Sequence, residues 1–226
     1  DFRLDEFRNT PPAVLADPNL PVYITTNYDH FIEAALESRG KQPISDFCRW
    51  NEDLYHYAEE NEINSIIYKE NTDFKPTSAN PLVYHLHGDI DLPDSMVLTE
   101  RDYTDFVIYL NKEAEKKILP IAIRKALFRS SLELYIGYNV EDMSFRTISQ
   151  SLVSRNSGAQ LRTRAIMTLL PPTGAKDETR ARSQTRYLQA YLKDLHNISI
   201  YWGSASSFCY ELKKRLQSKC QAPQKL

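Results

Sequence analysis

The sequence predicts an α/β fold built on a doubly wound, mostly parallel sheet. Three observations carry that prediction. Short apolar runs, Val22–Thr26, Leu82–Leu86, Leu132–Ile136, Ala165–Leu170 and Ile198–Trp202, recur along the chain with room for a helix between them. The intervening stretches place apolar residues at helical spacing. All of them but Ala165–Leu170, which stops at a proline pair, turn polar or reach a glycine within a step, as a strand does when it delivers a loop at its carboxyl end.

Taken in order, residues 1–20 hold Phe2, Leu4 and Phe7, then Pro11-Pro12-Ala-Val14-Leu15, and read as the tail of a helix and a loop. Pro21 opens the first strand, Val22–Thr26. His30-Phe-Ile-Glu-Ala-Ala-Leu36 follows as a helix, with Phe31, Ala35, Ile32 and Leu36 on its buried side. Residues 38–80 differ in texture, being charged and aromatic, with a helical patch at Asn51–Glu60 and a short candidate strand at Ser65–Tyr68. They read as a small, mostly helical insert over the ligand crevice, off the sheet.

Leu82–Leu86 is the second central strand and ends in His87-Gly88-Asp89. Thr99 is placed to cap the next helix, with Glu100 and Asp102 suiting its amino-terminal dipole. A further helix covers Ala114–Phe128, kinked or broken at Pro120. After the strand Leu132–Ile136 and the turn Gly137-Tyr138-Asn139, a helix runs from Asp142 to about Arg155. The strand Ala165–Leu170 stops at Pro171-Pro172, and Ile198–Trp202 stops at Gly203. Ser206 or Ser207 caps the last helix.

Composition excludes several classes. Lys and Arg total 28 against 30 for Asp and Glu, a net charge of −2, so no global field favours nucleic acid or an anionic membrane. No apolar run reaches the roughly 20 residues that span a bilayer, and no signal-peptide pattern opens the chain, so a cytoplasmic location is expected. Cys48, Cys209 and Cys220 are too far apart for a disulfide framework or a Cys-x-x-Cys zinc pattern. The 6 glycines are scattered, so there is neither a GxGxxG turn nor a P-loop. Arg162, Arg164, Arg180, Arg182 and Arg186 read as a solvated face, with an oligomer interface as the alternative.

Polar residues at three strand ends are candidates for one site. They are Thr26, Asn27 and Asp29 after the first strand, His87-Gly88-Asp89 after the second, and Gly137-Tyr138-Asn139 after the third. Asn27 or Asp29 could equally cap the helix that follows. Of His85 and His87, which alternate faces, His85 is expected in the core and His87 at the site.

Thr25-Thr26-Asn27-Tyr28-Asp29, His87-Gly88 and the Gly137-Tyr138 turn together resemble the sirtuin-like family of NAD-consuming domains. Gly137, Tyr138, Asp142 and Arg146 look most like its bacterial anti-phage branch, over roughly Pro21 to Glu211. The resemblance implies a Rossmann-like fold and an NAD hydrolase that releases nicotinamide and ADP-ribose, or its cyclic form. It implies a homo-oligomer with a fused or associated sensor domain. In this reading Asn27 and His87 are catalytic. Thr26, Asp29, Gly137, Tyr138, Asn139 and Trp202 line the NAD site, although Trp202 suits a core position as well. Asp142 and Arg146, one helical turn apart, read as a surface or fold-supporting ion pair in preference to a ligand contact.

Two departures from the family's pattern stand out. The Gly-rich strand-turn that holds a pyrophosphate at a helix amino terminus is missing, which reads as an amino-terminally truncated single domain over 1–226. The four-cysteine zinc module of the deacylases is also missing, so no metal is expected. The rival readings are a non-catalytic NAD or ADP-ribose sensor that gates a partner, and a zinc-free deacylase.

Overall fold

The computed structural model describes residues 10–61, 63, 65–69, 73–111, 119–138, 164–171 and 178–220. In chain order its elements are α1 (Pro11–Leu15), β1 (Val22–Thr25), α2 (Phe31–Glu37), β2 (Ile44–Phe47), α3 (Glu52–Glu60) and β3 (Leu82–His85). A 3-10 turn at Pro93–Ser95 precedes α4 (Glu100–Asn111) and α5 (Ile121–Arg129). Then come β4 (Leu132–Tyr135), β5 (Arg164–Leu169), α6 (Glu178–His196), β6 (Ile198–Trp202) and α7 (Ala205–Cys220). The chain forms two compact units, residues 16–129 and residues 1–15 with 130–226. Each holds a three-stranded, all-parallel sheet, the α/β Rossmann-like pattern that the alternation of strands and helices predicts.

In unit 16–129 the strand order is β1-β3-β2. Val22 to Thr25 pair in register with Leu82 to His85, and Ile44 to Phe47 pair with the same residues from the other side. β3 is therefore central, and Leu82, Val83, Tyr84 and His85 are all fully buried. β2 corrects the reading of 38–80 as lying off the sheet. Its Ile-Ser-Asp-Phe sequence is too polar to announce a strand. Its polar side chains nevertheless have partners, Ser45 with Glu33 and Asp46 with Ser65. Ser65–Tyr68 is not a strand. The Ser65 hydroxyl accepts from the Tyr68 amide at 3.1 Å and closes a turn there.

Helix starts follow their caps. Asn51 Oδ1 accepts from the Leu54 amide at 2.6 Å to open α3. Thr99 and Asp102 form a reciprocal box before α4: Thr99 Oγ1 accepts from the Asp102 amide at 3.1 Å, and Asp102 Oδ2 from the Thr99 amide at 2.8 Å. Those backbone donors hold the Asp102 carboxyl below its usual range. Thr99→Ala is expected to cost about 1 kcal/mol, seen as a lower denaturation midpoint. Pro120 precedes α5, its carbonyl accepting from the Arg124 amide at 3.1 Å, so the proline marks a helix start. The cap of α7 is Ser204, whose Oγ accepts from the Ser207 amide at 3.1 Å, and not Ser206 or Ser207.

In the other unit β5 is central, between β4 and β6. Ala165, Met167, Leu169, Leu192 and Ile198 form its core, and Phe208 and Cys209 of α7 pack on Val14 of α1. Arg164, Arg182 and Arg186 are exposed, as expected of a solvated face. Among the described residues no helix is long and apolar enough to cross a membrane. Burial pushes the Cys48 thiol up to about 12 and that of Cys209 up to about 11, so neither offers a thiolate at neutral pH.

Candidate active site

The parallel register that pairs Thr25 with His85 sends two loops off the same edge of the first sheet. Asn27 and His87 each lie two residues beyond that pair. Backbone bonds tie the loops together: the Leu86 amide donates to the Thr25 carbonyl at 2.7 Å, and the Ile90 amide to the Tyr28 carbonyl at 3.1 Å. The Tyr28 hydroxyl adds a third tie, donating to the Val97 carbonyl at 2.7 Å.

Asn27 is held by its peptide and free at its tip. Its amide donates to Thr25 Oγ1 at 3.0 Å, and its carbonyl faces His85 Nδ1 at 2.9 Å. The carboxamide is exposed, with donor and acceptor both available. The cap position of α2 is His30, without a side-chain cap bond, so neither Asn27 nor Asp29 is the cap. Asp29 Oδ1 accepts from the Phe31 amide at 3.1 Å and closes the turn just ahead of the helix. Thr26, which precedes both Asn27 and Asp29, is half-buried.

His87 is enclosed. It is 3% exposed, and Tyr103 and Phe106 of α4 present ring edges to it, each with a centroid 5.1 Å away. Its Nδ1 lies 3.5 Å from the Tyr103 hydroxyl, a contact too long to be strong. The next residue explains the His-Gly pairing. Gly88 has φ +96°, and a Cβ there would lie 2.2 Å from the Ser95 carbonyl oxygen and 2.7 Å from Met96 Cα. The loop can fold back only over a glycine, after which the Val97 amide reaches the His87 carbonyl at 2.9 Å. Gly88→Ala is expected to destabilise the protein by about 3 kcal/mol or more, because backbone must move and a left-handed φ is imposed on a Cβ. Thermal unfolding would read this as a midpoint lower by roughly 6–12 °C.

Beneath the loops runs a buried polar chain. Ser45 donates to Glu33 Oε1 at 2.7 Å, and the same oxygen faces His85 Nε2 at 2.7 Å. Burial opposes ionisation of Glu33, but hydrogen bonds from His85 and Ser45 outweigh it and hold the carboxyl below its usual range. Burial likewise opposes charge on His85, and the bonds to Glu33 and the Asn27 carbonyl raise its pKa in spite of it. Nearer the surface, His30 Nε2 lies 3.0 Å from both carboxylate oxygens of Asp89, which raise the pKa of His30.

His30, His85 and Asp89 bring donor atoms within 4.8 Å of one another, the spacing of a metal site. Their donor atoms are already committed. His30 Nε2 and Asp89 satisfy each other, and the two nitrogens of His85 serve Glu33 and the Asn27 carbonyl. The group reads as a hydrogen-bonded network.

The second sheet brings together Gly137, Tyr138 and Trp202. Gly137 has φ +80° with open space around its Cα, so glycine serves the backbone angle here, and its amide donates to Thr168 Oγ1 at 3.3 Å. Tyr138, beyond β4, and Trp202, ending β6, pack on the same apolar cluster of Ala165, Met167, Leu169, Leu192 and Ile198. The Trp202 indole nitrogen is buried with no hydrogen-bond partner among the described residues. Asn139, Asp142, Arg146 and Arg162 lie outside the described residues.

A family model described as the SIR2-like domain matches residues 21–195. The chain belongs to the SIR2-like family. Among curated proteins it is similar to one named NAD(+) hydrolase ThsA from Cytobacillus dafuensis, 26% identical over 63% of this chain and 23% of that protein. Proteins of the same name from Enterococcus faecium and Acinetobacter baumannii (strain 532279) are 30% and 28% identical over 41% and 42% of this chain. The chain spans less than a quarter of the length of these relatives, 15% to 23%.

In this SIR2-like chain the sequence reading missed Glu33 and His30. Phe31, expected on the buried face of α2, is 46% exposed, while Glu33 is 8% exposed. The helix is turned so that a carboxylate meets His85. The available clue was His85 itself, since a core histidine needs a polar partner and the helix after β1 is the nearest source of one.

Proposed function

We propose that this chain is the NAD-cleaving domain of an NAD hydrolase. The observation that supports the reading best is Asn27, an exposed carboxamide on a peptide fixed from both sides, at the strand edge from which His87 also emerges. The relatives named NAD(+) hydrolase supply the substrate. The family match runs through both compact units, and we read 1–226 as one SIR2-like domain.

Nicotinamide is bound in NAD as a pyridinium. When the C–N glycosidic bond breaks, the electron pair stays with nitrogen and nicotinamide departs neutral, so no general acid is needed. The ribose carbon passes through an oxocarbenium-like state. A water oxygen, or a ribose hydroxyl for the cyclic product, then bonds to that carbon and releases a proton. Asn27 holds the ribose hydroxyl or the attacking water, and His87 accepts the proton. Because Tyr103 and Phe106 enclose His87, α4 must yield for the imidazole to reach substrate. Thr26 and Asp29, on the loop that carries Asn27, complete the site on this sheet edge, and no metal takes part. We read the whole protein as a cytoplasmic homo-oligomer that depletes NAD in bacterial anti-phage defence. The much greater length of its relatives leaves room for a sensing domain.

The burial of His87 favours one rival, a domain that binds NAD or ADP-ribose without turnover. Incubating the full-length protein with NAD and following nicotinamide separates the two. Release that requires Asn27 and His87 supports the hydrolase. Saturable binding of NAD without release, under every activating condition tried, supports the sensor.

A further inference from the structure

Asn27 is useful to the reaction above only if its carboxamide is aimed, and the aim comes from two side chains. Thr25 Oγ1 takes the Asn27 amide at 3.0 Å, and His85 Nδ1 faces its carbonyl at 2.9 Å. A carbonyl oxygen only accepts, so Nδ1 carries a proton. Nε2 of the same ring lies 2.7 Å from Glu33 Oε1, which already receives the Ser45 hydroxyl at 2.7 Å. His85 is fully buried and Glu33 is 8% exposed, so neither is positioned by solvent. The chain Ser45–Glu33–His85–Asn27 thus runs from β2 through α2 and the central strand to the loop tip.

We propose that His85 is a positioning residue for NAD cleavage, with Glu33 and Ser45 fixing its ring so that it pins the Asn27 peptide and thereby orients the Asn27 carboxamide. The proposal rests on the hydrolase reading for its reaction, though one of its readouts does not. Conservative replacements probe it. In Glu33→Gln the new amide N–H can donate to Nε2, which keeps the proton on Nδ1 and the bond to Asn27 in place. In His85→Gln the ring that spans Glu33 and the Asn27 carbonyl is gone.

Two measurements on the full-length protein test the idea. In steady-state nicotinamide release, His85→Gln is expected to lower kcat by roughly 10- to 100-fold with KM for NAD changed by less than about 3-fold, as misorientation does. Glu33→Gln is expected to stay within about 5-fold of wild type. In an Asn27→Ala background, His85→Gln is expected to cost less than about 2-fold more, because a residue acting through Asn27 has nothing left to act on. Losses that simply multiply in the double variant would overturn the proposal, since a general structural defect behaves that way. Hydrogen exchange by mass spectrometry over residues 24–31 gives the second readout. Faster exchange in His85→Gln supports the anchor, and unchanged protection overturns it. If wild type releases no nicotinamide, the hydrolase reading falls and the exchange result alone decides whether His85 anchors the turn.

Discussion

Alanine at Asn27 is expected to reduce kcat/KM for nicotinamide release by two to three orders of magnitude while leaving the fold intact. The size follows from the role. A preorganised polar group aimed at the reacting centre is worth about 2.7–4 kcal/mol in the transition state, or roughly 10²- to 10³-fold. The selectivity follows from placement. The Asn27 side chain is exposed and makes no hydrogen bond among the described residues, whereas its main chain carries the structural bonds and survives the substitution. Stability should therefore change by no more than about 0.5 kcal/mol. His87→Ala makes the useful contrast. Its ring is 3% exposed and packed against Tyr103 and Phe106, so activity and stability should fall together, the latter by about 1–3 kcal/mol from the void left behind. Nicotinamide release and a denaturation curve on each variant check both halves. Asn27→Ala retaining more than a tenth of wild-type turnover would remove Asn27 from the chemistry.

How legible this was in the sequence depends on whether a residue's partner was local. The apolar runs at Val22, Leu82, Leu132, Ala165 and Ile198 announce their strands by composition, although only β3 is buried at every position. The loops after β1 and β3 were readable as neighbours in space, since parallel strands place their carboxyl ends on one edge. β2 escaped because two of its four residues, Ser45 and Asp46, are polar and find partners 12 and 19 residues away, which no window along the chain can reveal. The Ile66-Ile67 pair misled in the opposite direction: only Ile67 is buried, and a serine hydroxyl closes a turn around it. Glu33 was hidden by the assumption that a helix buries its apolar side. Here a buried histidine 52 residues away outweighs that preference and leaves Phe31 to solvent.

That buried pair sets the second large effect, a stability optimum bounded on both sides by pH. His85 has a folded pKa above its ordinary value of about 6.5, so its contribution is complete below that value and is lost as pH rises through the elevated one. Glu33 has a folded pKa below its ordinary value of about 4.3, so its contribution is complete above that value and is lost as pH falls through the depressed one. Asp89, and His30 with its ring centroid 5.5 Å from that of His85, are the other titrating groups near the imidazole. Asp89 favours the charged imidazolium, and a protonated His30 works against it. Wild type should thus be most stable, relative to Glu33→Gln, between roughly pH 4.3 and 6.5, with the difference shrinking outside that window. Removing either partner outright is not symmetric. Without Glu33 the imidazole can shed its proton and still donate from Nδ1 to Asn27, leaving one unsatisfied nitrogen, a cost of about 1–3 kcal/mol. Without His85 the carboxylate keeps only the Ser45 hydroxyl, its Oε2 being buried with no hydrogen-bond partner among the described residues, and the cost rises to about 3–5 kcal/mol. Denaturation midpoints of Glu33→Ala and His85→Ala across pH 4 to 9 test the order. If Glu33→Ala proved the more damaging of the two, the charge would not reside on the pair as described.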